Sequence, residues 1–237
     1  MIRFYAPDVA TTCLLPESDS AHCVRVLRMR AGDALEVVDG RGNLYRCVLV
    51  DASPRAAEVD IREVVALPKV WTANITVAVA PTKNSDRIEW LVEKLVEIGV
   101  DRIVPLRCRH SERKAINVDR LNKIAVSAMK QSLKAVLPRI DDMTPIADYL
   151  RDEHSVSRFV AYCDDTVERR LLAREYRPGV DTAILIGPEG DFDPEEISTA
   201  IASGWVPVTL GDNRLRTETA ALVACDTCHI ISQFASK

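Results

Sequence analysis

Residues 185–192 read Leu-Ile-Gly-Pro-Glu-Gly-Asp-Phe, and residues 210–220 read Leu-Gly-Asp-Asn-Arg-Leu-Arg-Thr-Glu-Thr-Ala. Each stretch follows a short apolar run and precedes a helical pattern, so each is predicted to be a turn from a strand into a helix. Glycine at such a turn allows a positive φ or a close approach of the backbone to a ligand. One such turn alone would be an ordinary connection. Because we expect the two turns to end adjacent strands, they predict a binding crevice at the carboxyl ends of those strands.

Strand and helix patterns alternate from residue 75 onward. The strand candidates are Ile75–Val79, Arg102–Leu106, Arg158–Cys163, Thr182–Ile186 and Val206–Leu210. This alternation predicts an α/β fold with a mainly parallel sheet.

Two of the intervening helices carry clear signals at their ends. Apolar residues repeat with helical spacing from Ile88 to Val96, and Gly99 ends that pattern. A second helix is predicted to start at Asp193 as its cap, with Pro194 in the first turn and Glu196 completing a capping box.

The first part of the chain, up to about residue 68, has a pattern of short strands and turns. Asp33–Val38 and Leu44–Val50 read as two strands around a glycine-containing hairpin loop, and Glu58–Val65 alternates like a third. This pattern predicts a small β-barrel. With residues 66–69 as a linker, we expect one domain over residues 1–69 and another over residues 73–237.

The two C-terminal turns resemble the cofactor-loop motifs of the SPOUT, or trefoil-knot, methyltransferases. Within that superfamily the chain resembles the ribosomal RNA small subunit methyltransferase E family. The likeness continues upstream, in the same order and with similar spacing, in Lys94–Val100, Ser111–Arg113, Gln131, Pro138, His22, Arg25–Arg28, Gly32-Asp33 and Asp39-Gly40. It therefore covers nearly the whole chain.

This resemblance implies a C-terminal SPOUT α/β trefoil-knot methyltransferase domain and a small N-terminal PUA-like β-barrel that binds RNA. The knot follows from the resemblance alone, because pattern reasoning would reject so rare a topology. The implied reaction uses S-adenosyl-L-methionine to methylate ring nitrogen 3 of a uridine in the decoding region of 16S rRNA, within an assembled small subunit. The family is dimeric through the knotted domain, and the apolar helix Ala220–Phe234 is compatible with this.

The resemblance also implies which residues surround the cofactor. Backbone amides and carbonyls of the two turns would bind the adenine and ribose, and apolar side chains would form the walls. These residues are Ile186, Gly187, Pro188, Glu189, Gly190, Leu210, Gly211, Arg214 and Leu215.

Arg216 and Glu218 are the leading catalytic candidates. Arg216 is always charged and rich in donors, so it could stabilise an anion that develops on the uracil. Glu218 could orient Arg216 or accept a proton. The alternative is that the two side chains pair only to cap the helix that begins near Thr217 and to fix the loop.

Charge is distributed unevenly along the chain, whose net charge is −4. Residues 102–139 contain ten Lys or Arg and two acids, a local net charge of +8, whereas residues 141–199 have a local net charge of −9. Clustered basic residues are a footprint for phosphates, although a solvated helix face is the alternative. The resemblance favours RNA and implies contacts from Ser111, Arg113, Lys130, Gln131 and Lys134, and from Arg3, His22, Arg25 and Arg28 in the barrel domain.

Two residues depart from the family pattern. Asp191 stands where a further glycine is frequent, and we expect this difference to alter the first turn. Lys130 stands where a glutamate is frequent before the glutamine, which affects the details of RNA contact.

The cysteines suggest two other functions that we do not adopt. Cys225–His229 matches a haem-attachment pattern, but such attachment belongs to exported proteins and residues 1–8 show no export signal. We predict that Cys225 and Cys228 are buried free thiols on one helix face. The other cysteines are scattered, so we expect no metal site. No apolar run approaches a membrane span, and a cytoplasmic location is expected.

Three alternative functions remain. Another SPOUT methyltransferase could act on transfer RNA or large-subunit rRNA, although the pattern from His22 to Arg28 argues against it. An RNA-binding assembly factor without catalysis is disfavoured by the intact glycine turns. A nicotinamide-dependent enzyme is weakest, because residues 187–190 lack the G-x-G-x-x-G spacing that cradles a pyrophosphate.

Overall fold

The computed structural model describes residues 3–163 and 167–235. The chain forms two compact units. The first consists of Met1–Val70 and Val126–Leu137, and the second of Trp71–Ala125 and Pro138–Lys237. The predicted α/β class is confirmed: the second unit contains a parallel sheet, and the first contains a small sheet.

The first unit is built on a four-stranded sheet in the order β1-β2-β3-β4. Strand β1 is parallel to β2, and the other pairs are antiparallel. The core of this unit is formed by Phe4, Leu35, Val37 and Leu49, all nearly inaccessible to solvent. The elements are β1 (Arg3–Tyr5), α1 (Val9–Thr12), α2 (Glu17–Ala21), a π-helical turn (His22–Val26), β2 (Ala34–Val38), β3 (Asn43–Asp51) and β4 (Glu58–Ala66).

Asp39 organises the hairpin between β2 and β3. Its carboxylate accepts hydrogen bonds from the backbone N–H of Arg41 at 2.8 Å and from the side-chain amide of Asn43 at 2.7 Å. Burial alone would raise the pKa of Asp39, but the bonds from Asn43 and Arg41 hold that pKa below its usual value. The Asp39-Gly40 motif therefore has a structural explanation, the closing of this turn.

The second unit has an eight-stranded sheet in the order β10-β12-β9-β11-β5-β6-β7, with β8 pairing beside β6. Every pairing within it is parallel. Its strands are β5 (Ile75–Val79), β6 (Arg102–Arg107), β7 (Arg139–Ile140), β8 (Thr144–Pro145), β9 (Ser157–Ala161), β10 (Arg170–Leu171), β11 (Thr182–Ile186) and β12 (Val206–Thr209). Its helices are α3 (Ser85–Ile98), α4 (Val118–Gln131, whose last residues belong to the first unit), α5 (Ile146–Asp152), α6 (Leu172–Glu175), α7 (Pro194–Ala202) and α8 (Thr217–Ala235).

The strand order corrects one expectation. β11 and β12, which precede the two glycine turns, are not adjacent, because β9 lies between them. Ala161 at the end of β9 pairs with Ile186 on one side and with Val208 on the other. The three strands therefore end level with one another, and the segment after β9 joins the two glycine turns at the carboxyl edge of the sheet.

The helix ends follow the predicted signals. Asn84 caps α3 by accepting a hydrogen bond from Asp86 N at 2.9 Å, and Gly99 ends this helix with φ +126°. The capping box at the start of α7 is confirmed, with Asp193 accepting from Glu195 N and Glu196 bonding back to Asp193 N.

The last helix confirms the interpretation of the cysteines. Cys225 and Cys228 on α8 are buried, as predicted. Burial raises the pKa of the Cys228 thiol to about 12 and that of Cys225 well above its usual value. Both are therefore inert apolar groups near neutral pH. Among the helices of residues 3–163 and 167–235, none is long and apolar enough to cross a bilayer.

Candidate functional site

The first glycine turn, residues 187–193, is held by packing rather than by special glycine conformations. Neither Gly187 nor Gly190 has a positive φ. A Cβ on Gly187 would lie 3.0 Å from the ring of Phe192, so a side chain there would collide with that buried ring. The carbonyl of Gly187 accepts a hydrogen bond from Thr217 Oγ1 at 3.1 Å, which joins this turn to α8.

Asp191 gives the first turn its shape and replaces the glycine that is frequent at this position. Its φ is +61°, in the left-handed region that favours glycine and that Asp tolerates by bonding to nearby backbone. Its carboxylate accepts from Phe192 N at 2.8 Å and from Cys163 N at 3.1 Å. Asp191 therefore keeps the backbone conformation of a glycine and also ties the first turn to the end of β9.

The second turn, residues 210–216, requires its glycine for conformation. Gly211 has φ +126°, and a Cβ there would meet no atom within 4 Å. Thr209 Oγ1 donates to Gly211 O at 2.9 Å and accepts from Gly211 N at 3.2 Å. Leu210 and Leu215 are half-buried, and Arg214 is exposed. This turn therefore presents open backbone at Gly211.

Cys163 follows β9 and lies between the two turns. Its thiol is exposed at this edge of the sheet. Burial of part of the residue and the Asp191 carboxylate raise the pKa of the thiol, while the charges of Arg169 and Arg214 partly oppose the shift. No signal in the sequence predicts that Cys163 lies at this site.

The start of α8 corrects the expected pairing of the catalytic candidates. Arg216 is exposed, and within the described residues its side chain makes no hydrogen bond or ion pair. Glu218 is buried, and its carboxylate faces Arg87 of α3, with Oε1 at 3.6 Å from Nη1. Arg87 also donates a hydrogen bond to Glu189 of the first turn at 3.3 Å. Arg216 and Glu218 thus do not pair, and the contact of Arg87 with both Glu189 and Glu218 was not predicted from the sequence.

A third loop, after β6, packs on the first turn. His110 Nδ1 lies 3.1 Å from Asp191 O, and the Cβ of His110 would be 3.5 Å from a Cβ on Gly190. Arg109 donates from its backbone N–H to Glu196 at 2.8 Å. Ser111 closes the loop by accepting from Cys108 N at 3.0 Å. His110, for which the sequence predicted no role, therefore supports the first turn. Ser111 has a structural role within its own loop.

Arg113 lies on a cavity of the second unit. Its guanidinium donates to the backbone carbonyls of Thr82 and Lys83, so this predicted RNA contact is fixed in place. The cavity has a volume of about 350 Å³ and lies at the first turns of α3 and α4. Polar and apolar side chains line it together, including Asn117, Arg120, Ile88 and Leu121.

The predicted RNA contacts of the first unit fall into two groups. Arg3 pairs with Glu36 at 3.0 Å, and Lys130 pairs with the buried Asp19 at 2.8 Å, so both have internal partners. Lys134 is half-buried and also has a partner. The exposed members are His22, Arg25, Arg28 and Gln131.

Three of the exposed residues lie in or just after the π-helical turn. His22 and Arg25 lie in that turn, and Arg28 follows it with φ +57°. Such turns are rare and often occur at functional sites. The ring of His22 packs edge-on against Phe4, with centroids 6.4 Å apart. The side chains of Arg25 and Arg28 are both exposed.

Metal ligation has no support from the described side chains. Among residues 3–163 and 167–235 there is no group of three or more His, Cys, Asp or Glu residues that could hold a metal ion.

Family comparison agrees with this geometry. A family described as RNA methyltransferase domain matches residues 69–229. The chain belongs to this RNA methyltransferase family. A second family, described as RNA methyltransferase PUA domain, matches residues 15–62 of this methyltransferase. The resemblance read from the two glycine turns is therefore confirmed.

Individual relatives align with nearly the whole of this chain. The chain is 28% identical to ribosomal RNA small subunit methyltransferase E of Rickettsia conorii over 213 residues, which are 89% of this chain and 86% of the relative. A crystal structure of a probable rRNA-methyltransferase from Porphyromonas gingivalis is 46% identical, with a TM-score of 0.94 over 99% of this chain and 100% of that one. Ribosomal RNA small subunit methyltransferase E from Neisseria gonorrhoeae, solved with S-adenosyl methionine bound, is 26% identical, with a TM-score of 0.82 over 98% of each chain.

Proposed function

We propose that this chain transfers a methyl group from S-adenosylmethionine to ring nitrogen 3 of a uridine in the decoding region of 16S rRNA. One observation carries the proposal: the two glycine turns and the first turn of α8 meet at the carboxyl edge of the parallel sheet. The names of the relatives support the choice of small-subunit rRNA as substrate.

The residues at this edge fit the methyl donor. Gly211 offers open space and a backbone that a ligand can approach closely, and Leu210 and Leu215 offer apolar surface beside it. The turn of Gly187 and Pro188 would form the opposite wall. When bound, S-adenosylmethionine supplies an activated methyl group on a sulfonium, so the protein's task is positioning and electrostatics.

Two side chains would act on the uracil. Glu218 Oε2 would accept the proton of ring nitrogen 3, whose freed electron pair then forms the new N–CH₃ bond as the methyl–sulfur bond breaks towards sulfur. Glu218 would later release this proton to water. Arg216, which has no polar partner among the described residues, would stabilise the negative charge on the uracil.

Fold details and assembly are part of the same proposal. We propose that the second unit contains a trefoil knot, that the sheet of the first unit is part of a PUA-like barrel, and that the domains are residues 1–69 and 73–237. The protein would act in the cytoplasm as a homodimer on the assembled small subunit. Ile230 and Phe234, which are 45% and 78% exposed on one face of α8, offer an apolar surface for a second copy.

The function is tested by mapping modified bases. Methylation at ring nitrogen 3 blocks the Watson–Crick edge, so one uridine in the decoding region should give a reverse-transcription stop. The stop should vanish in a strain without the gene and return with the wild-type gene. Arg216→Ala should bind the donor normally yet fail to restore the stop, because its contact forms only in the transition state.

The two ways this test can fail have different meanings. A stop that persists in the deletion strain would contradict the substrate. Restoration by Arg216→Ala at the wild-type rate would contradict only the role of Arg216.

RNA binding should depend on the exposed guanidinium groups of the first unit. We expect Arg25→Glu with Arg28→Glu to lower RNA affinity at least tenfold and to reduce the slope of log affinity against log salt by about one for each lost phosphate contact. Donor affinity should not change. The measurement is a salt titration of binding to a 16S rRNA fragment.

The control is Arg46→Glu with Arg62→Glu, which reverses two other exposed arginines of the same unit and changes the net charge by the same amount. If this control weakens RNA binding as much as the first double variant does, the effect is one of net charge, and the contact surface lies elsewhere. Reversal of Arg3 or Lys130 is a poor test, because each has an internal ion-pair partner.

A further inference from the structure

Arg87 connects three elements of the second unit. It is the third residue of α3, and its Nη1 lies 3.3 Å from Glu189 Oε1 in the first glycine turn and 3.6 Å from Glu218 Oε1 in the first turn of α8. Thr217, the neighbour of Glu218, bonds to Gly187 of the same turn. The start of α8 is thus attached to the first turn twice, once directly and once through Arg87.

The two oxygens of Glu218 have different surroundings. Oε1 faces Arg87, whereas Oε2 is buried and has no hydrogen-bond partner within the described residues. The residue as a whole is only 8% exposed. A buried acceptor without a donor is costly, and such an atom in a native protein is often explained by a ligand or a catalytic role. Glu218 Oε2 therefore has the properties of an acceptor that is completed by a bound molecule.

We propose that Arg87 is the positioning residue of the active site: it fixes Glu218 Oε1, so that Oε2 is presented to the imide N–H of the uracil. The proposal rests on the function proposed above. Arg87 touches neither substrate nor donor in this scheme and acts through Glu218.

Charge explains why the cation is needed at this point. Glu189 and Glu218 both lie within 4 Å of the same guanidinium nitrogen. Without Arg87, two carboxylates would face each other, and one of them would be buried without a counter-charge. The Thr217–Gly187 bond would still join α8 to the first turn, but the Glu218 side chain would lose its fixed orientation, and Oε2 would lose its direction. A displacement of about 1 Å at a reacting group can reduce a rate about a hundredfold.

The experiment compares variants of the full-length protein in a methylation assay with S-adenosylmethionine and small subunits. Arg87→Met removes the charge and keeps most of the side-chain length, and Arg87→Lys keeps the charge. Glu218→Gln and the double variant Arg87→Met/Glu218→Gln complete a double-mutant cycle with Arg87→Met and the wild type. The control is Arg151→Met, which breaks exposed ion pairs with Asp148 and Asp152 on α5.

We expect Arg87→Met to lower kcat about a hundredfold, with KM for RNA and the Kd for the donor within about threefold of wild type. Arg87→Lys should recover at least tenfold of that loss, and Arg151→Met should match wild type. In the Glu218→Gln background, Arg87→Met should cause less than a threefold further loss, because Arg87 acts through Glu218.

Three results would overturn the proposal. One is a wild-type kcat for Arg87→Met, the second is an equal loss from Arg87→Met in both backgrounds, and the third is a change in KM or donor Kd alone. If Arg87→Met fails to fold, Glu218→Gln and Arg87→Lys provide the test, and an Arg87→Lys variant with no activity but normal folding counts against it. A wild-type protein without activity on any uridine would instead contradict the proposed function.

Discussion

Gly187→Val should weaken S-adenosylmethionine binding about a hundredfold. A Cβ at this position would lie 3.0 and 3.1 Å from two ring carbons of Phe192 and 3.2 Å from Asp191 Oδ1. Phe192 is buried in the core of the second unit, so its ring has little room to move. Overpacking of this kind costs about 1–3 kcal/mol. Because the free protein relieves this strain by shifting the turn, and donor binding requires the original turn, a cost near the upper end lowers the affinity about a hundredfold.

Displacement of Phe192 would also disturb the rest of the site. Asp191 bonds to Phe192 N and to Cys163 N, and Gly187 O accepts from Thr217. These bonds connect the first turn with β9 and with α8. A shift at Gly187 would therefore spread to the segments that we propose to surround the donor.

Titration calorimetry measures the affinity, and thermal unfolding reports on the fold. Gly190→Val serves as the comparison, since Gly190 is exposed and the nearest atom to a new Cβ would be His110 Cβ at 3.5 Å. We expect this second variant to keep the wild-type Tm, whatever its effect on affinity. Normal donor binding by Gly187→Val would show that the first turn does not form part of the donor site.

Gly99→Ala should remove a large part of the stability of the second unit. Gly99 has φ +126°, and a Cβ there would lie 2.7 Å from Trp71 Cζ3. Trp71 cannot move away easily, because its Nε1–H donates to Asp101 at 2.8 Å. The carbonyl of Gly99 also accepts from His229 Nε2 at 2.6 Å. Backbone strain of about 1–2 kcal/mol and overpacking of about 1–3 kcal/mol together predict a loss of several kcal/mol.

Urea unfolding of the whole chain measures this loss. Gly179→Ala is the matched control, because Gly179 has φ +79° but its Cβ would meet only Thr72 Oγ1, at 4.0 Å. Gly179→Ala should lower the free energy of unfolding only by the backbone strain, because its Cβ has no collision. If both variants lose the same free energy, the contact with Trp71 contributes nothing.

Local signals in the sequence were sufficient for several elements of the fold. The cap at Asp193, the helix end at Gly99 and the apolar face of α3 depend on residues that are close in sequence, and the structure has all three. The two-residue strands β7, β8 and β10 could not be predicted, because so short a strand has no periodicity.

Contacts between distant segments account for what was wrong or missed at the site. Placement of β11 beside β12 was wrong because strand order depends on how the chain crosses the sheet, and β9 takes the position between them. Arg87 was missed as the partner of Glu218 because the two are far apart in sequence and nothing near Arg87 marks it as special. Asp191 did carry a signal, since it replaced a frequent glycine, and the left-handed backbone there gives the physical reason.

The interrupted make-up of the first unit has a consequence for protein synthesis. Residues Val126–Leu137 belong to this unit, where Gly42 N donates to Ala135 O and Leu137 N donates to Gly40 O, each at 2.9 Å. Domains usually fold in order as the chain leaves the ribosome, at about 5–20 residues per second. Here the N-terminal sheet lacks these bonds until residue 137 has emerged from the ribosome. The first unit of the nascent chain therefore stays incomplete for several seconds, while the first strands of the second unit are being synthesised.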